Sequence, residues 1–527
     1  MANPDPRAYE DMSPFEIKDA LIQLARASGQ KSAHAFLNAG RGNPNWIATR
    51  AREAFFTLGQ FGLAEAARVM DRPAGLSGMP REAGIAARMP PVPLIGFALH
   101  RFGFDPDAFV HELVDAIMGD NYPEPARMLV HVEQVVHEYL LHAMCGGLRP
   151  AGRFDLFATE GASAAICYVL RSLKSNRLLR FGDHIALGTP IFSPYLEIPE
   201  LEDFGLRPVF IEATAENAFQ YNDTELEKLL DPRVKAFFLV NPGNPTSVAI
   251  GPAARAVIVR LVREQRPDLM LLTDDVYATF VDGFRSLMAD LPANTIGVYS
   301  FSKYFGSTGW RLGAIALHQD NIFDPAIAAL PETDKLALDN RYGSLAPDPR
   351  EIRFIDRIVA DSRDVALRHT AGLSGPQQAM MALFALAELA DGQGTYRQAC
   401  LALPRKRQDA LHEGMGIAVP PDPLSDHYYG LIDVESWLRA HAGDTVADFV
   451  IRTVHPLDIV FRLARDHGIV LLNGGGFHAP DWTVRVSYAN LDDTVYRDIG
   501  RAIRTIAQDY IRLYEQRQEH PPCAKQS

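Results

Sequence analysis

Apolar and polar positions change rhythm twice along this chain. Between about residues 154 and 365, brief apolar runs are set apart by amphipathic stretches of helix length. The runs are Phe154–Phe157, His184–Leu187, Val209–Ile211, Ala236–Val240, Leu269–Leu272, Gly297–Tyr299 and Ala314–Leu317. Runs this short predict strands buried on both faces, and their spacing predicts crossover helices, so a mostly parallel sheet is expected. Ahead of this region, Ser13, Pro14 and Glu16 supply a capping hydroxyl, a first-turn proline and a capping-box acid, which predicts a helix start. The loop Asn38-Ala-Gly-Arg-Gly-Asn-Pro-Asn-Trp46 suits close approach of the backbone to a ligand. Residues 72–105, rich in Pro, Gly and Met, read as irregular. After about 365 the rhythm shifts again. A helix is expected near Gly375-Pro376, with strands at Tyr429–Val434, Ile469–Leu472 and Val484–Ser487. An amphipathic helix from Asp493 to Glu515 and a disordered tail over Pro521–Ser527 complete the chain.

The resulting division has four parts. Residues 1–50 form an N-terminal arm and part of a small domain, and 51–120 form an inserted or oligomer-contact segment. Residues 121–365 form a large domain, and 366–527 form the rest of a smaller α+β domain.

The 527 residues allow more than one domain. A formal net charge of -13 argues against nucleic acid as a partner, although an acidic protein can still hold a local cationic pocket. The four cysteines, Cys145, Cys167, Cys400 and Cys523, lack metal-ligand spacing, so reduced thiols and no metal are expected. The N-terminus has no basic and apolar leader, and no apolar run is long enough for a bilayer; Val92–Leu99 is far too short. The expected location is the cytoplasm, without a membrane partner.

The sharpest chemical feature is Ser300-Phe-Ser-Lys-Tyr-Phe-Gly-Ser-Thr-Gly-Trp-Arg-Leu-Gly313, placed directly after an expected strand. A neutral lysine amine can form an imine with an aldehyde cofactor, and hydroxyls with an arginine fork suit a phosphate dianion. Thr159-Glu-Gly-Ala-Ser163 offers a helix start whose backbone amides can face an anion. Pro190-Ile-Phe-Ser-Pro-Tyr195 carries rings that could stack on a flat heterocycle. Asn241-Pro-Gly-Asn-Pro-Thr246 makes rigid turns that aim amide side chains, and Thr273-Asp-Asp-Val-Tyr277 ends a strand in carboxylates. A strand-end carboxylate can hold a ring nitrogen protonated. Each segment alone has a plainer reading: an exposed loop lysine, ordinary aromatic packing, or an acid capping the next helix.

Together these segments resemble the fold-type I enzymes dependent on pyridoxal 5′-phosphate (PLP), the aspartate aminotransferase superfamily, over roughly residues 35–515. The resemblance implies an α/β fold with a large, mostly parallel-sheet domain that binds the cofactor and a smaller α+β domain. It implies that Lys303 is the Schiff-base residue and that Asp274 pairs with the pyridinium nitrogen. Asn244 and Tyr277 would bond the phenolic oxygen, and Phe192 would stack on the ring. Ser300, Ser302, Arg311 and the Gly161-Ala162 backbone would hold the phosphate. Asp275 stands where the family usually has Glu. Tyr122, in Gly119-Asp-Asn-Tyr-Pro-Glu-Pro, resembles the tyrosine that reaches the phosphate of a neighbouring subunit, which implies a homo-oligomer built from dimers. Arg485, in Thr483-Val-Arg-Val-Ser487, would bind the substrate α-carboxylate, beside Asn244 and Gly42.

The wording of Ser13–Lys18, Ala39–Asn45 and Asn121-Tyr-Pro-Glu-Pro125 is similar to the aspartate 4-decarboxylase branch of that superfamily. The implied reaction is β-decarboxylation of L-aspartate to L-alanine and CO2, with transamination involving 2-oxo acids as a side activity. Arg41 and Lys18 are then candidate cations for the side-chain carboxylate. A plain aminotransferase of aspartate or another amino acid is the alternative. A PLP-binding regulator would need a basic DNA-binding module, and the N-terminal region offers none.

Overall fold

The computed structural model describes residues 5–10, 12–29, 36–363 and 372–519, so the expected tail at 521–527 and Cys523 lie outside the described residues. All seven apolar runs of the central region form strands: β1 Phe154–Thr159, β2 His184–Thr189, β3 Arg207–Glu212, β4 Val234–Val240, β5 Met270–Asp274, β6 Thr295–Ser300 and β7 Gly313–His318. They make one sheet in the order β1-β7-β6-β5-β4-β2-β3. Only β7 is antiparallel, paired on one side with β6 and on the other with β1. The remaining pairs run parallel.

Side chains along β4 show why the run is continuous rather than alternating. Ala236, Phe238 and Val240 enter one core while Phe237 and Leu239 enter another, so both faces of the sheet are covered. Parallel crossovers also bring the carboxyl ends of β1, β2, β4, β5 and β6 to one edge. Ligands bind at that edge in open sheets of this kind.

The C-terminal part contains a three-stranded antiparallel sheet in the order β8-β10-β9, with β8 Tyr429–Asp433, β9 Leu472–Asn473 and β10 Thr483–Ser487. The apolar run Ile469–Leu472 is not one strand. Ile469–Val470 pairs in parallel with Leu37–Asn38, and Leu472 turns to pair with Arg485. The expected N-terminal helix spans Pro14–Gly29, and the backbone N–H of Ser13 donates to the Glu16 carboxylate at 3.2 Å. The last helix spans Tyr496–Glu519, after a short turn at Asp493–Val495.

Residues 72–105 are more regular than their composition suggests. A hairpin pairs Asp71–Arg72 with Leu76–Ser77, and helices span Ile85–Arg88 and Pro93–Phe102. Pro93 occupies a first-turn position, where its missing N–H costs nothing, so it starts a helix instead of breaking one.

The packing draws its main division elsewhere than residue 366. Helix Gly375–Leu389 lies in the first core with the sheet and with Leu58, Leu94 and Leu113 of the 51–120 segment. The second core gathers Ile17 and Leu21 with Val484, Val486 and Ile503. Helix Thr395–Met415 belongs to both: Cys400 packs in the first core and Leu411 and Met415 in the second, with Pro404 buried between them.

Candidate active site

A cavity of about 320 Å³ opens at the carboxyl edge of the sheet. Its wall includes Gly42, Ala162, Phe192, Asn244, Asp274, Tyr277, Ser300, Ser302, Lys303, Arg311 and Arg485. These residues are scattered over more than four hundred positions of the chain, and the fold brings them to one cavity.

The sheet supplies the floor. Asp274 is the last residue of β5 and is 4 % exposed. Its Oδ2 accepts from the Tyr195 hydroxyl at 2.9 Å and its Oδ1 from the Val276 N–H at 3.3 Å. Burial pushes its pKa up to about 6, against the opposing pull of the Tyr195 hydrogen bond. Asp275, the next residue, faces away from the cavity and into the protein. It accepts from Thr273 at 3.0 Å and Ser286 at 2.6 Å, its Oδ1 lacks a partner, and burial raises its pKa to about 7.

Lys303 lies just beyond β6, with Nζ donating to the Gly42 carbonyl at 3.0 Å. The same carbonyl accepts from the Tyr428 hydroxyl at 2.9 Å. Ser300 donates to Ser302 at 2.9 Å. Arg311 reaches the Glu160 carbonyl at 3.1 Å, beside the start of helix Ala162–Ser175. Gly161, with φ 94°, precedes that helix, and a Cβ there would stand 2.8 Å from an Arg311 nitrogen. Backbone amides, hydroxyls and a guanidinium thus converge on one corner suited to an anion.

The opposite wall comes from the second sheet and the N-terminal segments. Along β10 the side chains alternate: Val484 and Val486 enter the second core, and Arg485 turns to the cavity. Arg485 is 1 % exposed. It donates to Asn244 Oδ1 at 3.0 Å and to the Gly40 carbonyl at 2.9 Å, while its Nε has no partner. Its guanidinium lies 4.4 Å from the Tyr429 ring centroid and 4.9 Å from that of Phe477, and burial lowers its pKa. Tyr277 donates to the Tyr429 hydroxyl at 3.1 Å, and burial holds its phenol well above the usual range.

Four expected residues do not line the cavity: Gly161, whose neighbour Ala162 does, and Arg41, Lys18 and Tyr122. Arg41 is exposed, although it precedes Gly42. Lys18 is half-buried, its amine 5.4 Å from the ring centroid of Phe15, which does line the cavity. Tyr122 is 68 % exposed and lines a separate hollow with Glu112 and Asp115. Conversely, Phe15, Tyr195 and Tyr429 are cavity residues that sequence reasoning did not single out. Tyr195 sits in the Pro-Ile-Phe-Ser-Pro-Tyr segment, one helical turn after Phe192, and that spacing was its readable signal. Among the described residues no cluster of His, Cys, Asp and Glu could hold a metal, and no helix is long and apolar enough to cross a membrane.

Residues 155–503 match the family described as aminotransferase class I and II. Over 97% of this chain and 98% of its own length, a bifunctional aspartate aminotransferase and L-aspartate β-decarboxylase from Pseudomonas sp. is 47% identical. An aromatic-amino-acid aminotransferase from Thermococcus litoralis is 34% identical over 35% of this chain and 46% of its own. Among solved structures, a double mutant of Thermus thermophilus aspartate aminotransferase superposes with a TM-score of 0.60 at 18% identity, covering 96% of this chain and all of the other. By sequence over most of its length and by fold over nearly all of it, this chain belongs to the class I and II aminotransferase family.

Proposed function

We propose that the protein is a PLP-dependent enzyme that converts L-aspartate to L-alanine and CO2, with aspartate transamination as a side activity. The observation that carries this reading is the reach of the likeness to the Pseudomonas enzyme. The general family match begins at residue 155, whereas the bifunctional relative matches 97% of the chain, and so most of the first 154 residues as well.

The cavity fits the cofactor. Asp274, buried and with only neutral hydrogen-bond donors, suits a cationic ring nitrogen, and the Gly161–Arg311 corner suits a phosphate. Between them, Lys303 is the one lysine on the wall. When bound, PLP supplies an electron-withdrawing ring conjugated to the substrate nitrogen.

The chain's own groups do the rest. Lys303 would hold the cofactor, and its amine, already within the cavity, would serve as general base for the substrate Cα proton. Asp274 would keep the ring nitrogen protonated, and Phe192 would support the ring face. Asn244 and Tyr277 would bond the ring oxygen. Ser300, Ser302, Arg311, Gly161 and Ala162 would hold the phosphate. Arg485 takes the α-carboxylate bidentately, aided by Asn244 and the Gly42 backbone. Arg41, beside Gly42, and Lys18, whose amine lies over Phe15, are the candidate cations for the side-chain carboxylate. Tyr122, exposed here, serves the site of a second copy in a homo-oligomer built from dimers.

The test is product analysis with aspartate as sole substrate and no 2-oxo acid. Sustained release of CO2 and alanine supports the reading. Oxaloacetate formation that stops after one equivalent per site replaces it with a plain aminotransferase.

A further inference from the structure

The N-terminal helix contributes one ring to the cavity, that of Phe15. The ring meets Phe192 edge-on at 5.4 Å and Phe477 at 6.1 Å. Two cations lie against it: the Arg485 guanidinium at 5.8 Å and the Lys18 amine at 5.4 Å. Phe15 therefore bridges the ring proposed to stack on the cofactor and the guanidinium proposed to bind the substrate.

Its position is set from outside the site. Pro14, the first residue of the helix, packs against the turn Gly474–Gly476. Gly476 does not need glycine for its backbone angles, since its φ is not positive. It needs glycine because a Cβ there would overlap the Pro14 ring. A side chain at 476 would force a shift where this turn meets Pro14, the residue next to Phe15.

Two outcomes compete at this site under the proposed function, on which the present inference rests. Transamination takes up one water for each oxaloacetate released, and the substrate amino group is retained by the enzyme. β-Decarboxylation takes up no water: the Cβ–carboxylate bond breaks, CO2 leaves, and the bonding pair on Cβ takes a proton. We propose that Phe15, docked through Pro14 on Gly476, is a specificity-determining residue that keeps water from the cavity and so favours alanine over oxaloacetate. The apolar ring lies against both Phe192 and Arg485 and offers no hydrogen-bond partner to a water. The proton for Cβ need not come from solvent, because the Lys303 amine already lies within the cavity.

The experiment counts alanine molecules made per oxaloacetate by the full-length, PLP-loaded protein with aspartate alone. Phe15→Ala should lower that count about fivefold or more, and Phe15→Leu should restore most of it. Gly476→Ala, which leaves every cavity side chain intact, should act in the same direction. Calorimetric titration with succinate reads the separate effect on dicarboxylate binding. If succinate affinity falls in Phe15→Ala while the count is unchanged, Phe15 only gathers substrate and the proposal is overturned. An unchanged count in both Phe15→Ala and Gly476→Ala overturns it too, leaving the decarboxylase reading intact. If the unaltered protein makes no alanine at all, both fall together.

Discussion

The two walls of the cavity are built differently. One is the carboxyl edge of a single sheet: Asn244, Asp274, Ser300 and Lys303 lie at or just beyond the ends of adjacent strands β4, β5 and β6. The other is assembled from Phe15, Gly42, Tyr429 and Arg485, which come from an N-terminal helix, a loop and two strands of a second sheet. On the first wall, position along the chain and position in space are nearly the same variable. On the second they are unrelated until two cores have formed. Under the proposed function, the sheet edge carries the residues for the cofactor. The composite wall carries Arg485 and Gly42, proposed for a substrate that must enter and leave.

Substitutions on each wall should separate these duties, and the largest effect should come from the sheet. Lys303→Ala should lower alanine formation by roughly 10⁴-fold or more and abolish the absorbance band of the bound cofactor, read by product assay and spectroscopy. Next, Asp274→Asn should cost roughly a hundredfold in kcat, with KM for aspartate little changed. On the other wall, Arg485→Ala should raise KM roughly ten- to a hundredfold by removing two charge-assisted bonds to substrate, while cofactor absorbance persists. Equal loss of cofactor from the Arg485 and Asp274 variants would erase the distinction.

A smaller effect tests the floor itself. Burial raises the Asp274 pKa to about 6 even though the Tyr195 hydroxyl, by hydrogen-bonding the carboxylate, pulls the other way. Tyr195→Phe should therefore raise that pKa, and the acid limb of the pH–kcat/KM profile of the enzyme should move upward. A limb that stays in place would show that Asp274 does not control it.

The smallest effect concerns stability. Asp275 holds its proton to about pH 7 in the folded chain, whereas an unfolded aspartate loses it near pH 4. Between those values the folded state binds more protons, so this group's contribution to stability is fully present below pH 4 and is lost as pH rises toward 7. Asp275→Asn should flatten that decline, measured as unfolding midpoints across the same range. An unchanged slope would refute the assignment.

Legibility followed the same divide. The strands of the large sheet and the residues at their ends were readable because a buried parallel strand writes itself as a short apolar run that stops at a polar residue. Arg485 was reached from a five-residue strand through family resemblance, since a lone alternating arginine looks like any solvated strand residue. Phe15 was hidden, because one phenylalanine on an amphipathic helix carries no mark of which core its neighbours join. The helix at Pro93–Phe102 is hidden for a different reason: proline density suggests irregularity, yet Pro93 stands in the first turn, where a helix tolerates it. Tyr122, assigned through the resemblance alone, lies exposed in a separate hollow.

Helix Thr395–Met415 has a mechanical consequence. It is a continuous rod of 21 residues with one end in each core. Pro404 removes one rung of its internal ladder, because it has no N–H to give. Bending stiffness along the rod is therefore lowest close to the place where the two cores part, so any rocking of one lobe against the other has a flexural joint already installed there.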